Sequence, residues 1–193
     1  MKDKIDHIIN LSLSIITDKG INLKELYPED LFTHCLGVAH LAIALGIEYN
    51  FNLQDLLDLG VGSLVHDYGK IKIAEKILNK SGALDNSEYQ LIQSHTSIGY
   101  RELKQYSFNK EVLDIVLYHH ERLSGLGYPN SITDIPILVQ IVSVADVYNA
   151  ITSDRCYHRG SSPAEALNIL KEDKGLNLVT VSILEDLIAT KTI

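Results

Sequence analysis

Residues 31–47 read LFTHCLGVAHLAIALGI, and this stretch is the clearest indicator of the fold class. Its apolar side chains recur at steps of three and four residues, which is the spacing of one face of an α-helix. Residues 137–144 are rich in β-branched side chains, but their apolar run continues to Ile151 and no partner strand is evident nearby. The sequence therefore predicts an all-α fold. Helical spacing recurs in residues 5–16, 53–65, 87–103, 110–118, 135–151, 163–170 and 179–188.

Helix starts and chain length support a single helical domain. Residues 85–88 (DNSE) and 161–165 (SSPAE) place polar caps, and in the second case an early proline, directly before apolar turns. The 193 residues are enough for one hydrophobic core and too few for two comfortable ones.

Composition excludes several classes of function. The formal net charge of −8 disfavours binding to the backbone of a DNA or RNA polymer, which requires a basic surface. No apolar run approaches the roughly 20 residues of a bilayer span, so we expect no membrane insertion. The N-terminus has no signal-peptide pattern, and Cys35 and Cys156 form no disulfide framework. We therefore expect a cytoplasmic protein.

Histidine and aspartate residues form the pattern that carries chemistry. An apolar helix is followed directly by His66-Asp67, and another by His119-His120. Asp146 lies in an apolar stretch, where an unpaired carboxylate would be costly to bury. The remaining members of the pattern are His95, which lies in a polar stretch, and His34, which shares a helix face with Asp30 four residues earlier.

Metal coordination would explain these buried polar groups together. Imidazole and carboxylate ligands suit Fe, Mn, Zn, Co or Ni, and the carboxylate of a His-Asp pair can bridge two ions. Two ions about 3.5–4 Å apart would polarise a phosphoryl group and supply a bridging hydroxide. A single histidine is more often hydrogen-bonded in a core or on a surface. His40 faces about 120° away from His34 on the helix, so we expect it to be a structural residue. His7 and His158 lack acidic partners, so we expect them to be solvated.

The same residues resemble the HD-GYP family, a branch of the HD superfamily of metal-dependent phosphohydrolases. The family's HDxGK motif stands as HDYGK at residues 66–70, and its HHExxxGxGYP motif is complete as HHERLSGLGYP at residues 119–129. Residues 77–95 and 144–157 are also similar. The resemblance covers residues 30–170 and implies an HD-type helical bundle with additional C-terminal helices. We expect an N-terminal helical extension at residues 1–27 and the HD-GYP domain at residues 28–193.

The resemblance implies hydrolysis of cyclic di-GMP to pGpG or GMP at a site with two or three divalent ions, usually iron or manganese. Asp30 would hold a third ion, although the family usually has Glu at this position. Asp67 and Lys70 would be catalytic, and Lys70 and Arg155 would contact substrate phosphate. The implied metal ligands are His34, His66, Asp67, His95, His119, His120 and Asp146.

Several alternatives stay open at the level of sequence. Tyr128 could stack on a guanine or pack its loop onto the body, and Arg155 could pair with Asp154 instead of phosphate. The substrate could be 3′,3′-cyclic GMP-AMP or a mononucleotide. The domain could also be a non-catalytic module that binds a cyclic dinucleotide, or a partner protein through its GYP loop. Departures from the family are Asn149 for the frequent Asp, and Ala74, Ser81 and Cys156 for expected prolines.

Overall fold

The computed structural model describes residues 1–80, 82–153 and 160–192. Within these ranges the chain forms helices and no strand, so the all-α prediction is confirmed. A 3₁₀ turn spans Tyr68–Lys72. The α-helices are α1 (Lys2–Asp18), α2 (Leu23–Leu26), α3 (Glu29–Glu48), α4 (Leu53–Val65), α5 (Glu75–Leu78), α6 (Asn86–Gln93), α7 (His95–Lys104), α8 (Lys110–Tyr118), α9 (Ile137–Thr152), α10 (Pro163–Glu172) and α11 (Leu178–Ala189).

The predicted helix at residues 87–103 is wrong in one respect, because the chain divides it into α6 and α7. The break falls at Ser94, whose hydroxyl donates to the Leu91 carbonyl at 2.6 Å. A serine that bonds the preceding turn competes with the backbone ladder of the helix. The break makes His95 the first residue of α7.

Polar caps begin the helices where the sequence places them. Asp85 and Ser162 each form a capping box with the glutamate three residues later, and Pro163 occupies the first turn of α10. Asn52 caps α4 and Asn109 caps α8 through bonds to backbone N–H groups.

The core is built around α3 and α4. One cluster joins these helices to α1, α9, α10 and α11. A second cluster joins them to α2, α7 and α8. Two glycines allow neighbouring helices to approach α4: a Cβ at Gly60 would lie 2.3 Å from Ser12 Oγ, and one at Gly62 would lie 2.5 Å from Ile115 Cδ1.

Helix α3 is long and apolar enough to cross a membrane by length and composition alone. The expectation that no apolar run approaches that length is therefore wrong. Half of the apolar window is buried inside the protein, and a buried core helix passes the same test. This helix is weak evidence for a membrane span.

The contact between α4 and α8 gives the first testable prediction. Gly62→Val would push a side chain into Ile115, and overpacking of a core costs about 1–3 kcal/mol. For a chain of this size, we expect Tm to fall by about 2–4 °C per kcal/mol in thermal unfolding followed by circular dichroism. Gly82→Ala is the control, since a Cβ there meets nothing within 4 Å. An unchanged Tm in Gly62→Val would contradict the close packing.

Candidate metal centre

Asp67 lies at the centre of a cluster of histidines, and its two carboxylate oxygens face different members. Oδ1 lies 3.2 Å from His95 Nε2 and 3.9 Å from His119 Nε2. Oδ2 lies 3.3 Å from His66 Nε2 and 3.8 Å from His34 Nε2. The carboxylate is 1% exposed. A buried carboxylate in this position can serve two binding sites at once.

Two groups made only of imidazole and carboxylate ligands could each hold an ion. Within each group the ligand atoms lie no more than 4.8 Å apart. Asp146 belongs to the group of His34 and His66, and its Oδ1 lies 3.1 Å from His34 Nε2 and 3.8 Å from His66 Nε2. The other group consists of Asp67, His95, His119 and His120.

Local structure brings the HDYGK motif against α7. His66 ends α4, and the chain then enters the 3₁₀ turn that carries Lys70. Gly69 lies directly on the α7 backbone, because a Cβ there would be 1.9 Å from the His95 carbonyl oxygen. The motif needs glycine for this close approach. The contact holds Asp67 beside His95.

The HHExxxGxGYP motif folds into a loop anchored by Glu121. This buried carboxylate accepts the backbone N–H of Asn130 at 2.6 Å and that of Ile132 at 3.2 Å. The anchored loop places the Tyr128 ring on His120, with ring centroids 4.7 Å apart and planes 26° apart. Tyr128 thus packs against His120, and its stacking on a guanine stays a prediction.

The two glycines of this loop have different roles. Gly125 has φ +73°, in the left-handed region that favours glycine. Gly127 does not have a positive φ. A Cβ at Gly127 would instead lie 2.4 Å from Glu121 Cα and 2.5 Å from the His120 carbonyl oxygen. Close backbone approach explains the second glycine.

Hydrogen bonds at Nδ1 orient four of the histidines. His66 Nδ1 donates to the Ser63 carbonyl at 2.7 Å, and His95 Nδ1 donates to the Ile92 carbonyl at 2.7 Å. Carbonyls of α8 accept from His119 Nδ1 at 3.1 Å. His34 Nδ1 bonds the side chain of Asn149 at 2.8 Å. Because a carbonyl can only accept, Nδ1 carries the proton and Nε2 presents its lone pair to the cluster.

The electrostatics keep carboxylates charged and several imidazoles neutral, and His66 is the exception: burial lowers its pKa, but Asp67 and Cys35 raise it more, to well above normal. Burial raises the pKa of Asp67, but Lys70 and His66 lower it further, so the net pKa lies well below its usual range. Burial also raises the pKa of Asp146, but its hydrogen bond with His34 and the charges of nearby histidines together lower it well below normal. Burial lowers the pKa of His119 well below normal and that of His120 to about 3. Neutral imidazoles and ionised carboxylates are the forms that bind metal.

Two features show that the site fits divalent metal ions. His66 Nε2 and Asp67 Oδ1 are buried and lack an adequate hydrogen-bond partner. In addition, His95 Nε2 and His119 Nε2 lie 3.2 Å apart, although each presents a lone pair. One cation in each ligand group would satisfy these atoms.

Lys70 lies at the edge of the cluster, where its ammonium donates to Asp67 Oδ2 at 2.5 Å. Asp30 is in α3 as predicted, but its carboxylate is exposed and its Oδ1 accepts from the N–H of Leu31. It does not join either ligand group among the described residues. Its role as a third-metal ligand stays a prediction.

Some predicted features lie elsewhere. Exposed His7 and half-buried His40 are outside both ligand groups. The predicted phosphate ligand Arg155 and its alternative partner Asp154 lie outside the described residues. The same is true of Ser81, Cys156 and His158.

Sequence reasoning missed three residues around the cluster. Cys35 forms a third possible ligand group with His66 and Asp67, and burial raises the pKa of its thiol. Ser143 donates to the His119 carbonyl at 2.6 Å. Asn149 was noted only as a departure from the family. These contacts join distant segments and leave no local sequence signal.

Comparison with known proteins identifies the family. The sequence pattern of the HD domain family matches residues 8–178. The chain is 34% identical over 177 residues to "Cyclic di-GMP phosphodiesterase PA4108" of Pseudomonas aeruginosa, covering 88% of this chain and 43% of the relative. It is also 34% identical to "3'3'-cGAMP-specific phosphodiesterase 1" of Vibrio cholerae, covering 84% of this chain and 38% of that relative. The chain thus spans less than half the length of these two relatives.

A solved structure shares the fold. Bd1817, an HDG"Y"P protein from Bdellovibrio bacteriovorus, superposes with a TM-score of 0.72 at 21% identity, covering 96% of this chain and 60% of that one. This similarity confirms the HD-type helical bundle. Together with the complete HHExxxGxGYP motif, the comparisons show that the chain belongs to the HD domain family and to its HD-GYP branch.

Proposed function

We propose that this chain is a metal-dependent phosphodiesterase that hydrolyses cyclic di-GMP to pGpG or GMP. The observation that carries the proposal is the position of Asp67 between two groups of histidines, one facing each carboxylate oxygen. This arrangement suits two ions that share one carboxylate, as in two-metal phosphoryl hydrolysis.

The ligands would divide between two ions, and Asp67 would contribute to both. His34, His66 and Asp146 would hold one ion, and His95, His119 and His120 the other. Mixed imidazole and carboxylate donors suit iron or manganese, the metals that the family resemblance implies. Asp30 would require a change of side-chain position to hold a third ion, because its carboxylate is exposed.

The chemistry follows from the charges at this site. Divalent ions bound here would polarise the phosphoryl group and activate water for in-line attack. Lys70 would stabilise the negative charge that develops on the phosphate oxygens, since its ammonium already lies at the edge of the cluster. Burial lowers the pKa of Lys70, but Asp67 raises it more, so the side chain stays charged. Arg155 would add a second phosphate contact.

The substrate class rests on the relatives and on local charge. One is named for cyclic di-GMP and another for 3′,3′-cyclic GMP-AMP, at equal identity to this chain. Cyclic GMP-AMP is therefore the second candidate. The net charge of −8 disfavours a nucleic-acid polymer, whereas a small cyclic dinucleotide needs only the local positive charge of the ions and Lys70.

A turnover assay tests the proposed activity. Protein purified without oxygen and loaded with Fe²⁺ or Mn²⁺ should convert cyclic di-GMP to pGpG or GMP, with cyclic GMP-AMP assayed beside it. The double variant His66→Ala/Asp67→Ala should lose bound metal, and its activity should fall on the order of 10³-fold or more. Product chromatography and metal analysis give the two readouts.

Two comparisons make the result decisive. His7→Ala removes an exposed histidine outside both ligand groups and should keep metal and activity. Wild-type protein stripped by a chelator should lose activity and regain it when metal is returned, whether or not the double variant folds. Binding of both dinucleotides without turnover by the loaded protein would establish a non-catalytic module instead.

The role of Lys70 gives a separate prediction. Lys70→Met should lower kcat/KM for the cyclic dinucleotide by about 10²–10³-fold, because a charge that stabilises the transition state is lost. Metal content should not fall, since the ammonium is not a ligand. Lys72→Met, in the same 3₁₀ turn, is the matched control, because Lys72 is 53% exposed and pairs with Glu102 at 3.6 Å. Normal activity in Lys70→Met would refute this role.

A further inference from the structure

His34 differs from the other oriented histidines in how its ring is held. His66, His95 and His119 donate Nδ1–H to backbone carbonyls three or four residues earlier in the chain. Because these acceptors are backbone carbonyls near helix ends, the bonds do not depend on any particular side chain. His34 lies early in α3, and its Nδ1 bonds the Asn149 side-chain oxygen 115 residues away, at 2.8 Å.

Two side chains of α9 contact the two ring nitrogens of His34. Asp146 and Asn149 are three residues apart and therefore lie on one helix face. Asp146 Oδ1 lies 3.1 Å from His34 Nε2, and Asn149 Oδ1 lies 2.8 Å from His34 Nδ1. The ring can present an Nε2 lone pair to an ion only if Nδ1 carries the proton. Asn149 must then offer its oxygen, and Ser153 Oγ, at 3.3 Å, donates to the same oxygen.

A glycine in α3 makes room for the amide. Gly37 is one turn after His34, and a Cβ there would lie 2.3 Å from Asn149 Nδ2 and 3.1 Å from its Cγ. The Asn149 side chain thus packs against the α3 backbone at Gly37, where α3 and α9 meet. Any larger residue at 37 would move the amide away from the His34 ring.

We propose that Asn149, seated on Gly37, is a positioning residue that fixes the tautomer and orientation of His34 for the ion held by His34, His66 and Asp146. The inference rests on the proposed metal centre. Because the acceptor is an amide rather than a carboxylate, it orients the ring without adding a negative charge to Asp67 and Asp146. The ion on the side of His95, His119 and His120 does not depend on it.

Metal titration of variants tests the assignment. Asn149→Leu keeps the approximate volume and removes the acceptor, so Mn²⁺ affinity at one of the two sites should fall about 10–100-fold, the usual effect of losing a partner behind a ligand. Asn149→Asp keeps an acceptor and should retain both affinities. Gly37→Ala should weaken the same site, because it displaces the amide. Chelator competition gives the affinities, and thermal unfolding of the metal-free variants gives their stability.

The outcomes separate this inference from the metal centre itself. If the wild-type protein bound no metal, the proposed metal centre would be refuted. Unchanged affinity in Asn149→Leu, or equal weakening in Asn149→Asp, would overturn the role of Asn149. A measurement on wild-type protein is independent of variant folding: ¹⁵N NMR of Zn²⁺-loaded protein should show His34 with Nδ1 protonated and Nε2 bound to metal. A His34 ring bound through Nδ1 would also overturn the proposal.

Discussion

A single buried carboxylate, Asp67, imposes the main constraint on this structure. An ionised carboxylate away from water is costly unless it is paired. Here the surroundings hold its pKa well below normal, so the charge is kept, and histidine nitrogens face both of its oxygens. The helices that meet at this point carry the residues that compensate the charge. The fold can therefore be described as a scaffold that brings α3, α4, α7, α8 and α9 to one aspartate.

Helix ends, glycines and one buried glutamate bring the ligands together around Asp67. Helices α4 and α8 both end at the cluster, and their last carbonyls orient the histidines that follow. Glycines at 69 and 127 let backbones approach where a side chain would collide, and Gly62 makes room for the Ile115 side chain. The GYP loop is anchored by Glu121, which places Tyr128 on His120. Positive charge is local, from Lys70, within a chain of net charge −8.

Sequence patterns predicted the all-α class, most helices and the residues that converge on the cluster. Helical periodicity is a local property, and the two motifs are contiguous, so both can be read without a structure. Features that depend on contacts between distant segments could not be read. The break at Ser94 depends on a side-chain bond, and the need for Gly127 arises from its approach to Glu121. The bond from His34 to Asn149 spans 115 residues and has no sequence signal.

The most direct test of the account is the location of the bound ions. Anomalous X-ray diffraction from crystals of Mn²⁺-loaded protein measures their positions independently of any activity. We expect two peaks about 3.5–4 Å apart, one on each side of the Asp67 carboxylate. One ligand group should surround each peak. Ions bound away from Asp67, or a single ion that leaves one histidine group without metal, would contradict it.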